Sequence, residues 1–225
     1  LIDSLYNKSV VCPVCQKKIE VTRVKAKDCI VSSRDTDFCV YYEGVNPIFY
    51  DVWVCGNCGY AAQGEKFEEI SDRDAKAIKE NITRHWKPRS FTGERDIDKA
   101  LEAFKLALYN LTKMDAKPIE YAKVCLRIAW LYRMKKDERE TEFLRHALRY
   151  YCETFENERF PVGKLDQYTC MYMIGELERR VGNYNDAIVW FNKIISSPEA
   201  RKNKLLVENA REVYYLAKEQ MENGG

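Results

Sequence analysis

Two short cysteine pairs, Cys12-Pro13-Val14-Cys15 and Cys55-Gly56-Asn57-Cys58-Gly59, are the residues of this sequence best suited to chemistry. Two residues between ligands let both sulfurs of a pair point to one side of a tight turn. Four thiolates then complete a tetrahedral site for Zn2+, with Cys12, Cys15, Cys55 and Cys58 as ligands. Gly56 and Gly59 relieve the backbone where amide N–H groups approach the sulfurs. Four sulfurs leave no open coordination position for water, so the metal is expected to be structural, supplying on the order of 10 kcal/mol of folding free energy. Iron in a rubredoxin-like site and a redox dithiol compete for the same residues. A thioredoxin-type pair should open a helix within a βαβ pattern, and Pro13-Val14 follows no helical pattern.

The elements that must position these turns read as a small β module over residues 1–66. Ile19 to Val24 alternates and is rich in β-branched residues, and the runs 38–42 and 48–54 are aromatic and β-branched. Gly44 and Asn46-Pro47 punctuate the last two runs, and the last run leads straight into Cys55. The gap between the pairs exceeds that of a minimal zinc ribbon, so the intervening strands form an enlarged insert. Cys29 and Cys39 fall inside it and read as small buried residues rather than ligands.

Two surface features of the module invite a functional reading. Arg23, Lys25 and Lys27 share one face of an extended strand, after Lys17 and Lys18. With Tyr41, Tyr42 and Trp53 as stacking partners they would suit nucleic acid, whereas a solvated edge strand guarded by lysines explains them more simply. Ser33-Arg34-Asp35-Thr36-Asp37 is a polar loop. Arg34, Asp35 and Asp37 form an internal ion-pair network in the plain reading and line a binding site in the sharper one.

From residue 67 to 225 the periodicity changes from two to about 3.6 residues. Ser71, three residues before Asp74, marks a helix N-cap, and that helix, with Ala75, Ile78 and Ile82 on one face, stops before Pro88. A second helix follows Thr92-Gly93 with Ile97, Leu101, Phe104 and Leu108 on one stripe, and Pro118 opens a third. A fourth covers residues 138–158, a fifth runs from 163 to Gly182, a sixth from Tyr184 toward Pro198, and a seventh over 201–221, leaving residues 222–225 as a frayed tail. Gly175, Gly182, Tyr184, Ala187 and Phe191 match the tetratricopeptide pattern, as does Ala100 with Phe104 and Ala107. The expectation is three helical hairpins and a closing helix, stacked as a tetratricopeptide-like antiparallel array. The fold class is therefore α+β, mainly α: a zinc-ribbon-like β module followed by that array. Its groove would be lined by Lys123 and Arg127 on the third helix and by Tyr168, Tyr172 and Arg179 on the fifth. Cys125, Cys152 and Cys170 read as helix-packing residues.

Bulk properties narrow the function. The chain has 37 Lys and Arg against 35 Asp and Glu, which weakens any case for global attraction to nucleic acid. No apolar run is long enough to span a bilayer, and residues 1–8 lack a signal peptide's apolar core. Nine cysteines, an odd number with four in short pairs, fit metal binding in a reducing cytoplasm better than a disulfide framework. There are only two histidines, His85 and His146, neither in a catalytic motif, and no nucleophile elbow, Walker loop or dinucleotide fingerprint.

The order C-P-V-C (12–15), S-R-D-T-D-F (33–38) and N-P-I-F-Y-D-V-W-V-C-G-N-C-G-Y-A (46–61), followed by helices, resembles the bacterial domain of unknown function 2225 family. The resemblance covers most of the chain and implies a cytoplasmic bacterial protein, but brings no reaction with it. The leading expectation is a non-enzymatic adaptor that binds a protein or peptide segment. A nucleic-acid-binding module is the first alternative, and an enzyme or small-ligand binder with a pocket where the two parts meet is the second.

Overall fold

The computed structural model describes residues 4–223; residues 1–3, part of the N-terminal stretch read above, and Gly224–Gly225 of the tail lie outside it. It is mainly helical, with seven α-helices and small antiparallel strand pairs among the described residues. The chain divides into two compact units. One contains residues up to Arg34, then Val40–Ala116 and Trp130–Lys136; the other contains Asp35–Cys39, Lys117–Ala129 and the chain from Asp137 onward.

In the first unit, β1 (Leu5–Val11) pairs antiparallel with β2 (Lys18–Val24), Tyr6 opposite Arg23 and Lys8 opposite Val21. β1 has no clear alternation because only Val10 of its residues is buried. β3 (Ile30–Arg34) pairs with β4 (Val40–Glu43) through a register shift between Val31 and Ser33, and every residue of β3 is exposed. β5 (Val52–Val54) pairs with β6 (Ala61–Gln63) across the second cysteine turn. The aromatic run expected as one strand from 48 to 54 is broken: Pro47–Tyr50 forms a 3-10 turn, and only Val52–Val54 is extended. Pro47 fits the first turn, and the Asn46 side chain accepts from the Ile48 amide, a local bond that outcompetes strand propensity.

α1 (Asp72–Asn81) begins where Ser71 accepts from the Asp74 amide, as read from the sequence. It ends well before Pro88, because Thr83–His85 tightens into a 3-10 turn and Trp86 is extended. α2 (Ile97–Leu111) is capped by Asp96 and packs beside β5 and β6, where Asn110 accepts from the Ala61 amide and donates to the Gly59 carbonyl. The core around the cysteine turns includes Val10, Val21, Trp53, Tyr60, Phe67 and Ile78.

α3 (Pro118–Lys135) has residues in both units. In the second unit, α4 (Arg139–Asn157), α5 (Gln167–Arg180), α6 (Tyr184–Ser196) and α7 (Lys204–Asn223) pack each on the next. α5 starts at the Asp166 cap, later than the expected position near 163, and α7 carries Glu222 and Asn223 as helix rather than frayed tail. Gly175 lets α6 approach closely: a Cβ there would lie 3.1 Å from the fully buried Phe191 ring.

Candidate functional site

The two cysteine turns share one backbone wiring. In the first, the Gln16 amide donates to the Cys12 carbonyl and the Cys12 amide to the Lys17 carbonyl. In the second, the Gly59 amide donates to the Cys55 carbonyl and the Cys55 amide to the Tyr60 carbonyl. The fourth residue after the leading cysteine must take positive φ, 61° at Gln16 and 79° at Gly59. Glycine adopts this freely, while Gln16 is anchored by its side-chain amide donating to the Pro13 carbonyl.

The four sulfurs lie within 4.8 Å of one another, with Cys12 and Cys58 3.6 Å apart and Cys15 and Cys55 also 3.6 Å apart. A metal–sulfur bond of about 2.3 Å in a regular tetrahedron requires edges of ~3.8 Å, so the donor set fits a metal ion. As free thiols the cluster is frustrated. Hydrogen bonding to Cys12, then Cys58, draws the Cys55 thiol far down; the bond to Cys55 pushes Cys12 up, and the bond to Cys12 pushes Cys58 up. A coordinated divalent cation would relieve this by holding all four as thiolates.

The linker after α1 straps the second turn, a feature the sequence reading missed. Trp86 Nε1 donates to the Gly56 carbonyl at 2.8 Å, the Arg89 amide donates to the same carbonyl at 3.1 Å, and Thr83 Oγ1 donates to the Cys58 carbonyl at 3.0 Å. Arg89 also lies over the Trp86 ring. Cys29 and Cys39 stand apart from the four-sulfur group among the described residues: Cys29 donates to the Lys25 carbonyl, and Cys39 is fully buried. Burial pushes the Cys125 and Cys170 thiols up to about 12 and Cys152 to about 11, which keeps these helix cysteines protonated near neutral pH. His85 is exposed, and His146 Nε2 sits 3.8 Å from Glu142 on an exposed face of α4.

Lys8 and Arg23 both lie over the Trp53 ring, which is buried, and Arg23 also covers Tyr6. In the second unit the polar loop and α5 converge. Arg34 is exposed on β3, but Asp35 is half-buried and Asp37 fully buried. Thr36 Oγ1 donates to Glu176 at 2.6 Å and accepts from Arg180 at 3.2 Å and from Arg179 at 3.4 Å. Tyr172 donates to the Thr36 carbonyl at 2.9 Å, and the Phe38 ring stacks on Tyr172 at 5.3 Å. Arg180 Nε lies 2.6 Å from Glu176 and 3.5 Å from Asp37, and its terminal nitrogen 3.8 Å from Asp35.

Of the groove residues expected from the sequence, Tyr172 and Arg179 are therefore buried and engaged by residues 36–38 and Glu176. Tyr168 bonds the Ser197 hydroxyl, and Lys123 and Arg127 are half-buried on α3. Thr36, Glu176 and Arg180 complete the cluster and were not singled out by sequence. The spacing of Glu176 to Arg180, four residues on one helix, was the available signal.

No curated protein and no solved structure matches the chain. No helix among the described residues is long and apolar enough to cross a membrane. One family model, described as an uncharacterized protein conserved in bacteria (DUF2225), matches residues 5–217. With its four-cysteine cluster and nearly its whole length so matched, the chain belongs to that bacterial family.

Proposed function

We propose that this protein is a non-enzymatic adaptor in the bacterial cytoplasm, in which zinc stabilises the cysteine-rich module and a tetratricopeptide-like helical region binds a protein segment. The observation that carries the reading is that α5 already grips a short stretch of chain, residues 35–38, through side chains directed at its backbone, hydroxyl and ring. Zinc is the metal of choice for four thiolates on two tight turns, and a closed four-sulfur set is suited to holding structure rather than activating water. Gly175, Ala187 and Phe191 at the α5–α6 contact are the residues a tetratricopeptide-like hairpin uses for close approach. Nucleic-acid binding is the weaker reading, since the overall charge is close to neutral and Lys8 and Arg23 already cover Trp53, one of the three aromatics that would stack on bases.

Metal analysis of the purified chain should return one zinc per molecule, lost in Cys58→Ser and kept in Cys39→Ser; the reverse pattern would overturn the ligand set. Affinity capture from the native bacterium should then enrich one protein with the parent chain. That protein should be lost with Lys123→Ala/Arg127→Ala on α3. Enrichment of nucleic acid with salt-sensitive binding, or no partner above background, would defeat the adaptor reading.

A further inference from the structure

A metal on the four sulfurs would tie two hairpins together: β1–β2, whose turn carries Cys12 and Cys15, and β5–β6, whose turn carries Cys55 and Cys58. The linker between α1 and α2 ties the same two hairpins by a second route. At its start Thr83 Oγ1 donates to the Cys58 carbonyl, and the Trp86 indole and the Arg89 amide both donate to the Gly56 carbonyl. The indole also lies against Gly59, where a Cβ would come within 2.6 Å of the ring. Further on, Thr92 Oγ1 donates to the Glu20 carbonyl of β2 at 3.1 Å, and the Gly93 amide donates to the buried Thr22 hydroxyl at 2.7 Å. Thr22 passes the tie to β1 by donating to Asn7, its cross-strand neighbour. Arg95 closes this belt on the second hairpin by donating to the Val52 carbonyl at the start of β5.

None of these bonds uses a sulfur, so none depends on whether the thiols are protonated or hold a metal. Hydrophobic burial joins the hairpins as well. Val10, Val14 and Val21 of the first share a core with Trp53 and Tyr60 of the second and with Phe67 and Ile78. A minimal zinc finger has neither tie, and it unfolds when its metal is removed. Two restraints on the same pair of turns cooperate: the belt already orders what the metal would otherwise have to order, so the metal binds more tightly. Cys12, Cys55 and Cys58 are fully buried and Cys15 is half-buried, so the site is reached from the Cys15 side.

We propose that the belt formed by residues 83–95 pre-assembles the two cysteine turns, so that this chain takes up and gives up its metal while folded. Trp86 and Thr92 are its positioning residues. The metal then stabilises a module that already has its shape, and it can be exchanged through the Cys15 side. This rests on the zinc site of the reading above and is independent of the adaptor's partner.

The test starts from the zinc-loaded full chain. Zinc is removed with excess EDTA, and amide exchange is followed by mass spectrometry. Amides of β1, β2, β5 and β6 should keep their protection to within about tenfold, with larger losses confined to the turns 12–17 and 55–60. Exchange of all four strands at unfolded-chain rates overturns the proposal. Zinc affinity is then measured by competition with a chromophoric chelator. Trp86→Phe/Thr92→Val keeps the ring and the side-chain shape but removes one hydrogen bond at each end of the belt, and should bind zinc about tenfold or more weakly than the parent. Equal affinity of the parent and this double variant overturns the role of the belt. Should the double variant not fold, Thr92→Val and Thr92→Ser are compared singly. The valine variant should bind zinc about threefold or more weakly and the serine variant like the parent, and equal affinities of the two overturn the proposal. A purified chain that holds no zinc at the outset defeats the zinc reading and this proposal with it. A zinc-loaded chain that unravels on chelation overturns the pre-assembly and leaves the zinc reading standing.

Discussion

Each unit buries arginine, and the two do so in opposite ways. In the first, Arg95 is 4% exposed, and its guanidinium donates to the backbone carbonyls of Phe91, Phe49 and Val52. Burial pulls its pKa down to about 10, still high enough to stay charged near neutral pH. In the second, Arg179 grips Glu176 with two nitrogens; burial draws its pKa down, but the Glu176 carboxylate more than offsets this and leaves it raised. A carbonyl-held arginine depends on where the chain passes, since three separate backbone points must stay in place. A carboxylate-held arginine depends on another side chain and can be disarmed by one substitution. The first arrangement suits a fixed joint between 3-10 turn, strand and linker; the second suits a site whose partners are read one by one.

Three substitutions would break or sharpen this contrast. Glu176→Gln should have the largest effect, because it strands the buried charge of Arg179 and removes a partner of Arg180; a loss of about 3–5 kcal/mol is expected in urea unfolding. Next, Arg95→Lys keeps the charge but cannot span the three carbonyls, and should cost about 1–3 kcal/mol, with faster amide exchange in β5 and β6. Should Arg95→Lys prove the costlier of the two, the carbonyl cage rather than the carboxylate pair would be the dominant buried polar element. Asp166→Ala should be smallest, about 1 kcal/mol, for the lost cap of α5. Burial pushes the Asp166 carboxyl up, but bonds from the Thr169 hydroxyl and the amides of Thr169 and Tyr168 leave it below its usual range. The folded value being the lower one, its contribution is full above the unfolded carboxyl range near pH ~4 and fades as pH falls through the folded value. The stability difference between parent and Asp166→Ala should therefore shrink toward zero in acid.

Legibility in the sequence followed the range of the interaction. The cysteine turns, the Ser71 cap and the seven helices were readable because each is specified within a few residues or by a repeating stripe. Pro47–Tyr50 was misread because a side-chain cap on Asn46 overrode the β-branched pattern, and β1 was missed because an exposed edge shows no alternation. The Thr36 cluster joins residues 136 to 144 positions apart, and Trp86 reaches back 30 residues to Gly56. No local signal encodes such pairings. Arg34, Asp35 and Asp37 drew attention as a charged loop, yet the residue at the centre of the cluster is the neutral Thr36.

Gly56 has a consequence for how this turn can vary. A Cβ at that position would stand 2.3 Å from the carbonyl oxygen of Arg89, a backbone atom that no rotamer change can move. Position 56 and the path of residues 86–90 are thus a matched pair. A relative of this protein that carries any side chain at 56 must route its linker elsewhere, and with it surrender the indole cover that Trp86 provides. Where the glycine is replaced, the linker should differ in length or composition as well, so the two segments are predicted to change together across the family.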